Sequence, residues 1–407
     1  MSAGCLAVAA FFTTRVNSGQ LWAEEFKKRM IGKATYLDHN ATAPVRREAA
    51  DAVCEVLTLC GNPSSVHGAG RRAHGWLETA RERVAALVGR PPAHVIFTSG
   101  GTEANALALK GCGRSRVFVS AIEHPSVLNA LDHAELIPVD GDGIVDLNWL
   151  DKTLEECGSE ALVSVMAANN ETGVLQPMEK VAEVVRRHGA LLHSDAVQLV
   201  GKAPLDKLSA QTHMMSLSAH KLGGPQGVGA VIADELDVAL TPLIKGGGQE
   251  RSKRAGTENL PGIVGFGVAA ELAKNDLEDA ERLAVLRDDL ENRLTQIVPA
   301  AVFAAQDRPR LPNTSCFAVP GLKAETLVMA LDLAGVMVSA GSACSSGKVK
   351  ASHVLKSQGW SDDLAAGAIR VSLGRTTTEV DIEKFMDAWM EVYRRLAPEN
   401  KPEGAAA

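Results

Sequence analysis

Through the first two-thirds of the chain, short apolar runs rich in β-branched residues alternate with longer amphipathic stretches. HVIFTSG, starting at His94, reads as a strand, and TEANALALKG behind it reads as a helix. RVFVSA, ALVSVMAANN, ALLHSDAV and MMSLSAH read as further strands, and PMEKVAEVVRRHG between them repeats its apolar positions at helical spacing. Side chains alternate across a strand but return to one face of a helix every 3.6 residues, so the two patterns separate cleanly. Strand–helix alternation of this kind predicts a mostly parallel sheet covered on both faces. Near residue 270 the texture changes. Ala269 to Ile297 forms one long charged helical pattern, followed by strands near NTSCFAV, GVMVSAG and AIRVSLG and a closing helix from about Glu379 to Ala397. The expected organisation is an N-terminal extension (1–34) with helical character from Leu21 to Met30, a large α/β domain (35–270), a smaller α+β domain (271–397) and a disordered tail (398–407).

Composition narrows the function class. The 407 residues are 46% apolar, enough for a sizeable core, and carry a formal net charge of −7. That balance argues against a general nucleic-acid binder, whose footprint is a strongly basic face. CLAVAAFF near the N-terminus is too short to span a bilayer. A degenerate targeting segment stays open there, with the cytoplasm as the default compartment and no membrane partner expected. Cys5, Cys54, Cys60, Cys112, Cys157, Cys316 and Cys344 are scattered and odd in number, which suits a reducing compartment and offers no zinc-ligand spacing.

Three clusters suggest chemistry. SLSAHKLGGPQGVGA places Lys221 directly after a strand and before a glycine-rich turn, with Ser218 and His220 as polar neighbours. A lysine in that position, taken alone, is a solvated loop residue. FTSGGTEANAL ends a strand at Ser99, turns through two glycines and opens a helix near Thr102. Its N–H groups then suit a phosphate, although an ordinary strand–helix turn has the same look. LLHSDAVQLVGK ends an apolar strand at Asp195, an acid that could cap a helix or pair with a ring nitrogen, with Gln198 just beyond. A lysine, an acid and a phosphate cradle together are what pyridoxal 5'-phosphate needs. In an open α/β sheet the ligand sits at the carboxyl ends of the strands.

The ordered series YLDHNATAP, GNPSSVHGAGR, FTSGGTEANALALKG, EHPSV, NNETGVLQP, HSDAVQ, SLSAHKLGGPQGVG, GGGQERSKRAGTEN, SAGSAC and IRVSLGRTTTEVDI resembles the cysteine desulfurases of the NifS/IscS type, in the class V aminotransferase group of fold-type I pyridoxal phosphate enzymes. The resemblance runs from about Tyr36 to Tyr393. It implies a seven-stranded, mostly parallel sheet in the large domain and a homodimer with sites at its interface. By position it implies that Lys221 carries the cofactor, Asp195 meets the ring nitrogen, Gln198 the ring hydroxyl, His124 stacks on the ring and Asn170 touches it. Gly101, Thr102, Ser218 and His220 resemble the phosphate binders, and Thr257 a residue that reaches the partner's phosphate. Arg370, helped by Asn40, resembles the clamp on the substrate carboxylate.

SAGSACSSGKVKAS then acquires a meaning. Cys344 resembles the thiol that takes sulfur from L-cysteine, leaving alanine and a persulfide for an iron–sulfur scaffold or another sulfur acceptor. His124 is the candidate for proton transfers there, and freed Lys221 for the base at Cα. No metal is required for catalysis, although the resemblance allows Cys344 as a transient iron–sulfur ligand. Two departures stand near the expected substrate side: His39 where the family often has Asn, and Ala43 where it often has Thr. The loop after Cys344 also differs, reading KVKAS from Lys348. A selenocysteine lyase and an ordinary class V aminotransferase remain the enzymatic alternatives.

Overall fold

The computed structural model describes residues 34–234, 238–341 and 351–397. The N-terminal extension, its suggested helix, Cys344, Lys348, Lys350 and the tail lie outside the described residues. The chain enters at β1 (Thr35–Tyr36) and continues through β2 (Val95–Thr98), β3 (Arg116–Ser120), β4 (Glu135–Ile137), β5 (Ala161–Ser164), β6 (Leu191–Asp195), β7 (Met214–Ser218) and β8 (Gly229–Ala233). There follow β9 (Val302–Phe303), β10 (Thr314–Ala318), β11 (Val336–Met337), β12 (Ser339–Ala340) and β13 (Ile369–Ser372).

Seven strands form the main sheet in the order β2-β8-β7-β6-β5-β3-β4. Every neighbouring pair is parallel except those made by β8, which runs against both β2 and β7. Strands β2, β5, β6, β7 and β8 are buried at every position, which is why they read as continuous apolar runs rather than alternating ones. Alternate residues still serve opposite faces. Phe118, Val163 and Leu217 enter one core, while Val117, Val119 and Leu162 enter the other. The strand β8 has no counterpart in the sequence reading.

A four-stranded antiparallel sheet, β12-β13-β10-β9, is the centre of the second unit. Helices Ala280–Ile297, Ala324–Leu333 and Glu379–Leu396 contribute to its core around fully buried Trp389, whose ring stacks near Phe385 and Tyr393 and meets Phe317 edge-on at 5.3 Å. The closing helix begins on a reciprocal cap between Thr378 and Asp381. Thr35–Leu37 belongs to this side of the molecule. β1 pairs with β11, Asp38 bridges to Ser372, and Leu37 joins the Trp389 core.

The long helical pattern from Ala269 is corrected. One helix spans Leu260–Ala273, a short 3₁₀ segment covers Asn275–Asp279, and a second helix spans Ala280–Ile297. Asn and Asp compete with helical backbone hydrogen bonds. Here Asp276 is drawn to an ion pair with buried Arg46, while Asp279 pairs with Arg282. Among the described residues no helix is long and apolar enough to cross a membrane.

Candidate active site

The carboxyl ends of β2, β3, β5, β6 and β7 converge on a cavity of about 310 Å³. It is lined by Gly101, Thr102, His124, Asn170, Asp195, Gln198, Ser218, His220, Lys221, Arg370 and Asn40, so twelve of the thirteen residues singled out in the sequence divide as follows: these eleven meet here, and Thr257 does not. The thirteenth, Cys344, lies outside the described residues. The cavity volume falls within the range of small-molecule sites.

Lys221 ends a single 3₁₀ turn, Ala219–Lys221, that follows β7 directly. The chain then doubles back through Gly223 at φ +85°, where a Cβ would lie 2.8 Å from Arg46 Cγ, so only glycine lets the turn pack. Lys221 Nζ donates to the carbonyls of Asn40 at 2.5 Å and Ala41 at 2.9 Å. Burial and the Arg370 charge pull its pKa down to about 8, against the opposing pull of Asp195 and Asp38. About a tenth of such an amine is neutral at pH 7, against roughly one part in 3,000 for an ordinary lysine.

Asp195 ends β6. Its Oδ1 accepts from Val197 N–H at 3.0 Å and its Oδ2 from Asn105 Nδ2 at 2.8 Å. Helix Gly101–Gly111 opens beside it with no side-chain cap. Its first N–H groups therefore face the cavity side of a positive helix terminus. A Cβ on Gly101 would come within 3.2 Å of Val197 Cγ2 and 3.5 Å of Ser218 Cβ, filling space that the glycine leaves clear. A terminus of free donors, a neighbouring hydroxyl, a carboxylate and a partly neutral amine are a donor set that fits a phosphorylated pyridine aldehyde. Asn105 Oδ1, buried without a partner among the described residues, adds an unused polar atom at the same wall.

His124 caps the short helix Pro125–Leu128, its Nδ1 accepting from Ser126 N–H at 3.1 Å. An acceptor at Nδ1 leaves the proton of the neutral ring on Nε2. Burial and the Lys221 and His353 charges lower its pKa, against Asp195, so that neutral form is favoured. Arg370, on β13, donates from Nη1 to the Asn170 carbonyl at 2.9 Å and from Nη2 to Asp38 Oδ1 at 2.6 Å. It is 4% exposed, and its Nε has no partner among the described residues.

Two sequence-based placements change. The Asn40 amide is fully engaged: Nδ2 donates to Thr314 Oγ1 and the Asn170 carbonyl, and Oδ1 accepts from Lys202 and Asn313. What Asn40 presents to Lys221 is its carbonyl, not its side chain. His39 and Ala43, expected near the substrate side, instead line a separate cavity with Lys202, Arg46 and Gly374, which shares only Lys221 with the first. Thr257 lies in a third cavity, of about 130 Å³, beside Ser99, Glu250 and Asn259. Its segment is pinned by Glu250, which holds Arg81 bidentately at 2.8 Å and accepts from Phe97 N–H.

Sequence reasoning passed over Asn105, Ser126, Asp38 and Lys202. Asn105 had a signal, since it stands one helical turn beyond Gly101 and so shares its face. Asp38 lacked one because its partner Arg370 is far away in the chain, and Lys202 because only one of its two partners, Gln198, is near it in the chain while Asn40 is not.

A buried histidine adds an acid sensitivity. His193, inside β6, bridges Ser164 Oγ at 2.8 Å and Ser216 Oγ at 2.9 Å, and burial lowers its pKa to about 3. The unfolded chain therefore binds the proton between about pH 6.5 and 3 while the folded chain does not. The stabilising contribution is complete above 6.5 and is lost as pH falls through that window, by up to about 1.4 kcal/mol per pH unit. Urea midpoints at pH 7, 6 and 5 are expected to fall steadily, and His193→Gln to flatten the slope. A midpoint that holds or rises on acidification would contradict this.

The sequence pattern of the family Aminotransferase class-V matches residues 35–385. The chain is 45% identical over 376 residues to a cysteine desulfurase of Cereibacter sphaeroides, covering 89% of this chain and 96% of that one. Among solved structures it is similar to a NifS-like protein from Rickettsia africae (TM-score 0.83, 36% identity, 88% of this chain and 99% of that one). It is also similar to SspA, solved in complex with cysteine (TM-score 0.71, 29% identity, 83% of this chain and 98% of that one).

Proposed function

The chain belongs to the aminotransferase class-V family and, within it, to the cysteine desulfurases, and from that premise we propose how its own residues remove sulfur from L-cysteine with bound pyridoxal 5'-phosphate. The observation that carries the reading is the convergence of Lys221, Asp195, Arg370 and the uncapped Gly101–Thr102 helix terminus in one cavity. Gly101, Thr102, Ser218 and His220 would hold the phosphate, Asp195 the ring nitrogen, Gln198 the ring oxygen, with His124 and Asn170 against the ring and Lys221 at the aldehyde. When bound, the cofactor supplies an electron sink for the substrate's Cα.

Arg370 takes the substrate carboxylate, for which a planar guanidinium offers a two-pronged grip. Its existing bonds to Asp38 and Asn170 set the plane of the guanidinium before substrate arrives. Lys221, with a pKa of about 8, accepts and returns the Cα proton. His124, neutral with its proton on Nε2, moves protons to and from the thiols. Cys344 attacks as thiolate. A bond forms between its Sγ and the substrate sulfur as the substrate's Cβ–S bond breaks, leaving a persulfide on Cys344 and, after protonation of Cβ, alanine.

The same reading includes a homodimer in which Thr257 serves the partner's phosphate. Its place outside the Lys221 cavity of its own chain supports that arrangement. It also includes transfer of the sulfur to an iron–sulfur scaffold or another acceptor protein, in the cytoplasm.

The test is product analysis. Purified protein given pyridoxal 5'-phosphate, L-cysteine and a thiol reductant is expected to form alanine and sulfide in equal amounts. With a keto acid added as amino acceptor, cysteine consumed to 3-mercaptopyruvate without sulfide would favour transamination and sink this reading. L-Selenocysteine supplied in parallel separates the lyase alternative by the ratio of the two rates.

A further inference from the structure

Lys202 is half-buried and does not line the cavity that holds Lys221, Asp195 and Arg370; it lies on the far side of Asn40, in the wall of the second cavity. Its Nζ donates to Gln198 Oε1 at 2.6 Å and to Asn40 Oδ1 at 2.8 Å. An amine proton can be given only to the oxygen end of an amide, so Lys202 reinforces from the oxygen side the orientations that the Asn40 carbonyl sets for Gln198 and the Asn170 carbonyl and Asn313 set for Asn40. For Gln198 the consequence is directional. With Oε1 turned to Lys202, Nε2 faces the other way, gives one hydrogen to the Asn40 carbonyl at 2.9 Å and keeps a second in the main cavity. That same carbonyl seats Lys221 Nζ. One amine thus supports both a donor edge and the residue whose carbonyl docks the reactive lysine. Burial and the nearby Lys221 and Arg370 charges press its pKa well below the ordinary lysine value, so it is not a solvated surface cation.

We propose that Lys202 is a positioning residue: by holding the oxygen ends of Gln198 and Asn40, it makes Gln198 a hydrogen-bond donor toward the cofactor's ring oxygen. The proposal rests on the pyridoxal phosphate reading above, and the two fail differently. Wild-type full-length protein that neither binds pyridoxal 5'-phosphate nor shows its visible absorption band ends that reading. With wild-type binding in hand, Lys202→Met is expected to raise the dissociation constant for pyridoxal 5'-phosphate about tenfold and to move the visible band, because the Gln198 amide loses the partner that holds its oxygen end and keeps only the Asn40 carbonyl at its nitrogen end. Lys202→Gln, which can offer an amide N–H to the same oxygens, is expected to stay within about threefold of wild type with the band restored. In a Gln198→Leu background the methionine change should add at most about threefold, since the group it acts through is gone. Wild-type affinity and band position in Lys202→Met overturn the proposal, and so does a full tenfold effect of Lys202→Met in the Gln198→Leu background. If the methionine variant does not fold, Lys202→Gln against Lys202→Glu decides: an ionised carboxylate only accepts and should lose the band that glutamine keeps, and equal bands overturn the proposal.

Discussion

Lys221→Ala is expected to lower sulfide release from L-cysteine by about 10⁴-fold, the upper range for loss of a positioned acid–base group. Borohydride reduction, which fixes the cofactor to the wild-type chain, should leave none on the variant. The size of the effect follows from the surroundings. Lys221 is the amine lining the main cavity, held by the Asn40 and Ala41 carbonyls, with a pKa near 8. The other nearby amine, Lys202, is separated from the cavity by Asn40 and engaged with two amide oxygens. It is therefore not expected to substitute. Lys221→Arg should be no better, because a guanidinium stays charged at every working pH. Activity above about a hundredth of wild type in either variant, measured as initial sulfide release at saturating cysteine, would remove Lys221 from the proposed role.

Cys344→Ser is expected to reduce sulfide release on the order of 10³-fold or more, as loss of a nucleophile does elsewhere, while leaving pyridoxal 5'-phosphate binding unchanged. A serine hydroxyl is not ionised at neutral pH, whereas a thiol is partly ionised and intrinsically nucleophilic. The separation of the two readouts is the informative part. Lys221, Asp195, Gln198 and the Gly101–Thr102 terminus are untouched by the change, so the visible band should persist. A chain that transaminates would keep its keto-acid production in Cys344→Ser. One that removes sulfur through a persulfide would lose its sulfide. Equal rates of sulfide release in wild type and Cys344→Ser would overturn the persulfide step while leaving the cofactor assignment standing.

The main sheet was readable because its strands are buried on both faces. ALLHSDAV, MMSLSAH and HVIFTSG must be continuous apolar runs, and such runs are visible without any partner. β8 went unread beside the glycine-rich turn after Lys221, although it pairs along its whole length with β7 and from Gly229 to Ile232 with β2. The Ala269–Ile297 pattern was periodic enough to read as one helix. It breaks because Asp276 has Arg46 to pair with, more than two hundred residues away in the chain. Nine of the eleven residues lining the cavity meet because their motifs follow strands of the main sheet whose carboxyl ends lie on one edge, while Asn40, after β1, and Arg370, on β13, reach it from other sheets.

Residue type and local order therefore determined the α/β class, the strand–turn–helix segment at Gly101–Thr102 and the strand-end positions of Lys221 and Asp195. Each depends on the conformation of a few consecutive residues, which local chemistry dictates. Tertiary structure alone decided what Asn40, His39 and Lys202 do. Whether Asn40 faces substrate with its amide or Lys221 with its carbonyl depends on Asn313, Thr314 and Lys202 arriving from distant parts of the chain. Whether His39 faces the main cavity depends on which side of one short segment its ring packs, here against Tyr36 at 5.1 Å. Hydrogen-bond saturation and the sidedness of a chain are properties of the assembled neighbourhood, and no local pattern encodes them.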